Sequence, residues 1–360
     1  MNTFNFKNTL IIFCFSILAS LFFYYFGDAW GIYGDAIQYV NLYEGKDALS
    51  PWSQRPLTPF IASIIPASVK NSFLILNYFF LALTSILIFY FFKNQNHKYE
   101  NLICLVFWIV SYPFTYYSAS IIRVDPMVLM GMILLLYLNK SFYNIYINTI
   151  FIIFFSFSHF LMTLSSFFLI LLMIFKNSIL NLNKSPLHIL IYFLLPFFIL
   201  MLHKTIFFST NQTSLLEIIK GTLNYSGGLI GHFLRFFSTF GPLFILTFFF
   251  TIKKWNADSL IIIFVISAIF ILSLLAADTL RVTSYIYIFV IFYSSKMFLI
   301  IGLKNKFEAF LILLSIISYF LILGLNLKSI EGNVIYTMFL AFFCLIVLSI
   351  CIKNFFTTFK

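Results

Sequence analysis

Long apolar runs alternate with short polar breaks from one end of the chain to the other. Many of the runs approach the roughly 20 residues that a helix needs to cross the hydrocarbon core of a bilayer. The pattern predicts twelve membrane-spanning helices, at about 8–27, 71–92, 101–118, 126–139, 144–158, 160–175, 187–208, 237–252, 259–277, 282–300, 307–325 and 335–352. Two of the breaks are long, 28–70 and 209–236. Within the second, Leu215–Lys220 and Leu229–Phe237 are each apolar on one side and read as segments lying along the membrane surface. The stretch 144–175 is long for one span and short for two, with its polar break at Ser156–His159.

Lysine settles the orientation and decides that stretch. Lys7, the pair Lys93 and Lys98, Lys140, the pairs Lys176 and Lys184, Lys253 and Lys254, Lys304 and Lys306, and Lys353 and Lys360 mark alternate connections. Positive charge accumulates on the cytoplasmic side, so both termini are expected there, and 144–175 divides into two short spans. The expected fold is an all-α, polytopic integral membrane domain covering 1–360. It has a short helical loop on the outer face after the first span and no separate soluble domain.

Composition agrees. The chain is 62% hydrophobic and 9% charged, with a mean hydropathy of +1.02, which excludes an ordinary soluble domain. The net charge of +11 is accounted for by the lysine-rich inner connections, and no free basic stretch with interleaved aromatics points to nucleic acid. Cys14, Cys104, Cys344 and Cys351 lie inside apolar segments, so neither a disulfide framework nor a paired-cysteine metal site is expected. The first span lacks a small-residue cleavage site and reads as a retained helix.

The arginines depart from this pattern. Arg55, Arg123, Arg235 and Arg281 all fall in breaks assigned to the outer face, while most of the 18 lysines mark the inner one. Arginine offers a planar fork of donors that matches phosphate, which lysine does not. Four such forks on one side point to a phosphate-bearing substrate.

Around them lie groups able to do chemistry. Residues 34–45 read as a short helix ending at Gly45, with Asp35, Gln38, Tyr39 and Leu42 on one face. Asp35 can serve as a general base on an acceptor hydroxyl, or open the helix with Gln38 in a capping box. Pro56 holds Arg55 extended within a proline-stiffened stretch, 51–59; the plainer reading is an interfacial anchor beside Trp52. Asp125 before Pro126 reads as a helix cap, whereas Arg123 beside it is a phosphate candidate. Asp278 and Arg281 can pair with each other or bind phosphate and sugar, and His159 can donate to either or sit satisfied in a hairpin. The catalytic candidate is therefore Asp35, and the substrate- or phosphate-binding candidates are Arg55, Arg123, Arg281, Gln38, Tyr39, His159, Asp278 and Arg235. No phosphate-loop, zinc-protease or dinucleotide motif is present, no cofactor is demanded, and a divalent cation stays open.

The segments Gly34-Asp35-Ala36-Ile37-Gln38-Tyr39 and Gln54-Arg55-Pro56-Leu57-Thr58-Pro59, with Arg123-Val124-Asp125-Pro126, resemble the first outer loops of the GT-C-type membrane glycosyltransferases. The resemblance covers about the first 130 residues. It implies a polyprenyl-phosphate-linked sugar donor, a glycan or lipid-linked acceptor, inverting transfer and a site on the exoplasmic face of a bacterial inner or plasma membrane. By analogy Asp35 is the base and the arginines hold the phosphate that leaves. The chain departs from the family in having one acid rather than two in the loop. His159-Phe160 also stands where relatives carry a basic-acidic pair.

Two other functions fit a polytopic envelope protein. An O-antigen or capsule polymerase shares lipid-linked substrates and outer arginines, but its large outer loop would hold several of them, and 209–236 holds Arg235 alone. A lipid-linked oligosaccharide flippase would place charges near mid-membrane, facing a cavity, rather than at span ends.

Overall fold

A computed structural model describes residues 5–27, 35–48, 55–92, 99–120, 122–141, isolated positions between 147 and 198, 215–255, 257–274, 283–325 and 334–356. Among these residues there is no strand, and every regular element is a helix. A bilayer leaves this outcome for so apolar a chain, because a helix satisfies its backbone groups internally where no water can. Five helices are long and apolar enough to cross a membrane, or up to seven if two bent pairs each count as one span. The chain is a multi-pass membrane protein.

The helices are α1 (Phe6–Phe26), α2 (Asp35–Tyr43), α3 (Leu57–Ile64), α4 (Val69–Phe92), α5 (Glu100–Val110), α6 (Tyr112–Ala119) and α7 (Asp125–Ser141). After an interval come α8 (Leu215–Ser226), α9 (Gly228–Phe240), α10 (Pro242–Lys253), α11 (Ala257–Ser273), a 3-10 turn at Ser284–Ile286, α12 (Tyr287–Lys304), α13 (Lys306–Leu325) and α14 (Val334–Phe356). Helices α1, α4, α12, α13 and α14 coincide with expected spans to within a few residues at each end. The expected spans at 160–175 and 187–208, and most of 144–158, lie outside the described residues.

Two expected spans are broken instead of straight. The run 101–118 bends by 44° at Ser111. Ser111 is extended (φ −64°, ψ 156°), and both its amide and its hydroxyl reach the Trp108 carbonyl, at 3.0 and 2.6 Å. Pro113 then falls in the first turn of α6, where its missing N–H costs nothing. The run 237–252 is split by an 88° bend at Gly241. Phe237–Phe240 close α9, and the next helix starts only at Pro242.

The chain folds into two compact units: Met1–Leu21 with Trp30–Ile88 and Ser120–Gln212, and Phe22–Ala29 with Phe89–Ala119 and Thr213–Lys360. In the first unit α2 packs on α3. Tyr43 donates to the Ala67 carbonyl at 3.3 Å and sets its ring beside that of Phe73, so α2 is pinned to the turn before α4. Thr84 and Ser85, buried inside α4, return their hydroxyls to the Phe80 and Leu81 carbonyls of their own helix, which makes them tolerable in an apolar setting.

In the second unit α10, α12, α13 and α14 pack side by side, with α5 against α12 and α6 against α13. Gly324 lets α13 approach α6 closely, since a Cβ there would lie 2.9 Å from that of Thr115. At the other end of α13, Asn305 accepts from the amides of Phe307 and Glu308, capping the helix. Glu308 receives Lys353 and Asn354 of α14, both at 2.6 Å.

The Gly241 bend rests on specific support. A helix end leaves carbonyls without intrahelical partners. Here Tyr287 donates to the Thr239 carbonyl and Tyr319 to that of Ser238. Gly241 itself has φ 48°, and a Cβ on it would overlap the Tyr319 ring. Gly241→Ala is therefore expected to cost about 2 kcal/mol or more, from left-handed strain plus displacement of an anchored ring. Gly45→Ala, at φ 70° with open space around it, carries the strain alone and should cost about 1 kcal/mol. Thermal unfolding of the two variants in detergent checks the order, and equal losses would show that the Tyr319 contact is immaterial.

Candidate functional site

Helix α2 begins at Asp35, the position expected from the sequence, and Tyr43 closes it two residues before the left-handed Gly45. Its buried face is formed by Ala36 and Tyr39, Gln38 is half-buried beside them, and Ile37 is exposed. The chain returns to this face at Arg55, just before α3. Arg55 is 6% exposed and Tyr39 is fully buried, and the guanidinium Nη1 donates to the Tyr39 hydroxyl at 2.9 Å. A charge so withdrawn from water is costly unless hydrogen bonds surround it. Tyr39 supplies one.

The segment around Arg123 is tied to the one that follows Arg55. Thr58, the second residue of α3, donates to the Met127 sulfur at 3.4 Å, and Met127 lies in the first turn of α7. Both are buried. The bond ties the residues that follow Arg55 to those that follow Arg123. Asn77 on α4 holds the Ser120 carbonyl at 3.5 Å, just ahead of the Arg123 segment. Arg123 is half-buried in a non-helical stretch, and Asp125 is fully buried where α7 begins, with Pro126 in the first turn as expected for a helix start. The first unit thus assembles an arginine withdrawn from water, a second arginine segment, and the helix that Asp35 opens.

Arg235 belongs to the second unit. It is half-buried on α9 and lines a cavity of about 660 Å³ with Phe237, Ser238, Gly241, Tyr319 and other residues of α10 and α14. This cavity was not foreseen from the sequence; the Gly241-Pro242 pair inside an apolar run was the signal for the break that opens it. Beside it, His232 is buried between Ser273 at 2.8 Å and Ser226 at 3.4 Å, a histidine held by hydroxyls of α11 and α8. His159, Asp278 and Arg281 lie outside the described residues. Among the described residues no three His, Cys, Asp or Glu side chains cluster so that they could hold a metal ion. No family model, curated protein or solved structure matches the chain.

Proposed function

We propose that the protein is a membrane glycosyltransferase that moves a sugar from a polyprenyl-phosphate-linked donor to a hydroxyl of a glycan or lipid-linked acceptor on the exoplasmic face. The observation that carries this reading is Arg55: a guanidinium almost wholly removed from water, held by Tyr39, on the helix that Asp35 begins. An arginine that only anchors a chain at the interface extends its head into water, and Arg55 does not. The resemblance of the 34–39 and 54–59 segments to GT-C-type enzymes and the outer placement of the arginines support the same reading. So does a multi-pass helical chain with five to seven apolar helices long enough to cross a membrane among its described residues.

In this mechanism Asp35 accepts the proton of the acceptor hydroxyl as its oxygen attacks the anomeric carbon from the side opposite the phosphate. The bond from that carbon to the phosphate oxygen breaks, and polyprenyl phosphate leaves with the electron pair. Arg55 and Arg123 stabilise the charge that develops on it, an interaction strongest where water is excluded. Gln38, three residues along the helix from Asp35, is placed to hold a sugar hydroxyl, and Tyr39 acts as a positioning residue for Arg55. Arg281, Asp278 and His159 are candidates for the same duty on their sequence positions alone.

The reading is tested by mass spectrometry of surface glycans and lipid-linked intermediates in a strain lacking the protein. Loss of one sugar from an otherwise complete glycan is the expected result. Glycans of a single repeat would identify a polymerase, and complete lipid-linked units trapped inside would identify a flippase. The sidedness has its own check. In a cysteine-free background, a cysteine at 47 should react with an impermeant thiol reagent in intact cells, and one at 254 should react only after lysis. Labelling at 254 in intact cells would invert the second half of the topology.

A further inference from the structure

Helices α10, α12, α13 and α14 pack side by side in the second unit, and their lysines gather at one end of it. Helix α10 stops at Lys253 with Lys254 behind it, α12 carries Lys304 in its last turn, α13 starts at Lys306, and α14 carries Lys353 in its last turn. Lys253 is half-buried and lies within electrostatic reach of both Lys254 and Lys304, so charges from two different helices press on one another. The carboxylate among them is Glu308, whose two oxygens Lys353 and Asn354 already engage at 2.6 Å. Glu100, which opens α5 beside α12, is fully buried and presents no charge at the surface. Among the described residues, Lys253, Lys254, Lys304 and Lys306 are therefore left with no acidic partner.

Helix stability does not account for the group. A lysine in the last turn of α10, α12 or α14 offsets the negative end of the helix dipole, but Lys306 stands at the positive end of α13, where a cation is disfavoured. The positive-inside rule places each lysine on this side and leaves their mutual repulsion unanswered. Their depth follows from the helices that carry them. Helices α12 and α13, of 18 and 20 residues, are each long and apolar enough to span. At 1.5 Å per residue they run about 27 and 30 Å, which matches a hydrocarbon core of about 30 Å. Lys304 and Lys306, at the joined ends of these two helices, thus lie at headgroup depth. Large apolar side chains alternate with the lysines: Trp255 follows Lys254, Leu303 precedes Lys304 and Phe307 follows Lys306, all more than half exposed. Exposed tryptophan beside lysine suits a membrane interface.

We propose that this lysine end binds the phosphate headgroup of an anionic phospholipid from the adjoining leaflet, with the acyl chains against the exposed apolar side chains of the same helix ends. The amines supply charge-assisted donors to the phosphate. A zwitterionic lipid brings its own ammonium, which the lysines repel. An inorganic anion would meet the lysines and make no use of the apolar side chains between them. An acidic protein approaches from water, whereas these lysines alternate with side chains that belong in hydrocarbon. Once bound, the lipid screens the repulsion between the ends of α10 and α12. The site uses none of the residues assigned to transfer and stands whatever reaction the protein catalyses.

Trp255 is a reporter already in place. Full-length protein is reconstituted in vesicles of phosphatidylcholine with a minority of phosphatidylglycerol. Bromine, a quencher of tryptophan fluorescence, is carried high on the acyl chains of one lipid or, at the same mole fraction, of the other. The quenching lost in Trp255→Phe is the part that reports on this end. It should be at least about threefold stronger with brominated phosphatidylglycerol, as attraction of several lysines to one headgroup predicts. The excess should shrink in molar salt and persist in millimolar inorganic phosphate at constant ionic strength. Replacing Lys253, Lys254, Lys304 and Lys306 together by glutamine should bring the two lipids to equality, and replacing them by arginine should not. The wild-type comparison and its salt dependence decide the matter even where the glutamine variant fails to insert. Equal quenching in the wild type would overturn the proposal and leave the patch to an acidic protein. Loss of the excess on adding inorganic phosphate would overturn it in favour of an aqueous anion, and an excess that survives removal of the lysines would overturn it as well.

Discussion

Asp35→Asn is expected to lower sugar transfer on the order of 10²-fold or more while leaving the amount of folded protein unchanged. Asparagine opens a helix as well as aspartate does, so the start of α2 at residue 35 survives the change. It cannot take a proton from an acceptor hydroxyl. Arg55 and Arg123 are untouched, so lipid-donor binding should stay near normal and the loss should fall on kcat. Asp35→Ala adds the loss of a cap, about 1 kcal/mol, which shows as a lower unfolding temperature rather than a further loss of turnover. The measurements are transfer rate, donor affinity and abundance in reconstituted membranes. Transfer near the normal rate in Asp35→Asn would reduce Asp35 to a helix cap. The base would then be sought at Asp278, or at Asp125, which is fully buried at the head of α7.

The second large effect is expected at Arg55. Arg55→Lys keeps the charge but loses the planar fork, and a lysine amine cannot hold the Tyr39 hydroxyl and a phosphate in the same fixed geometry. A lost hydrogen bond to a charged group is worth roughly 1.5–3 kcal/mol, so kcat/KM should fall about 10- to 100-fold. Tyr39→Phe separates positioning from binding. It leaves the guanidinium in place and removes the oxygen that orients it, which predicts a loss of about tenfold or less together with about 1 kcal/mol of stability. Arg123→Lys should be milder than Arg55→Lys, because Arg123 is half-buried and water competes for its contacts. Full activity in lysine variants of Arg55, Arg123 and Arg281 alike would end the phosphate-clamp idea.

Helices α1, α4, α12, α13 and α14 were legible in the sequence because crossing hydrocarbon is a local requirement: enough consecutive apolar residues and a charge at each end. That α2 begins at Asp35 and α7 at Asp125 was legible for a related reason, since the residue preferences of a helix start act within one turn. The bends were not. Averaged over a span-length window, the run 237–252 reads as apolar, and that average does not report that Gly241 takes a positive φ with two tyrosines from elsewhere in the chain closing the helix end.

The same division holds for the candidate site. The sequence by itself determined a helical, multi-pass membrane chain and singled out its few arginines, because span length acts on residue type alone and arginine, unlike lysine, carries a planar fork of donors. The tertiary structure decided what surrounds each of those charges. It withdrew Arg55 from water by setting it against Tyr39, sixteen positions earlier, and joined its segment to that of Arg123 through Thr58 and Met127. It put Arg235 on a hydrocarbon-lined cavity in the other unit. Burial and hydrogen-bond geometry depend on which distant segments meet, and spacing along one helix face carries no record of partners that arrive from another.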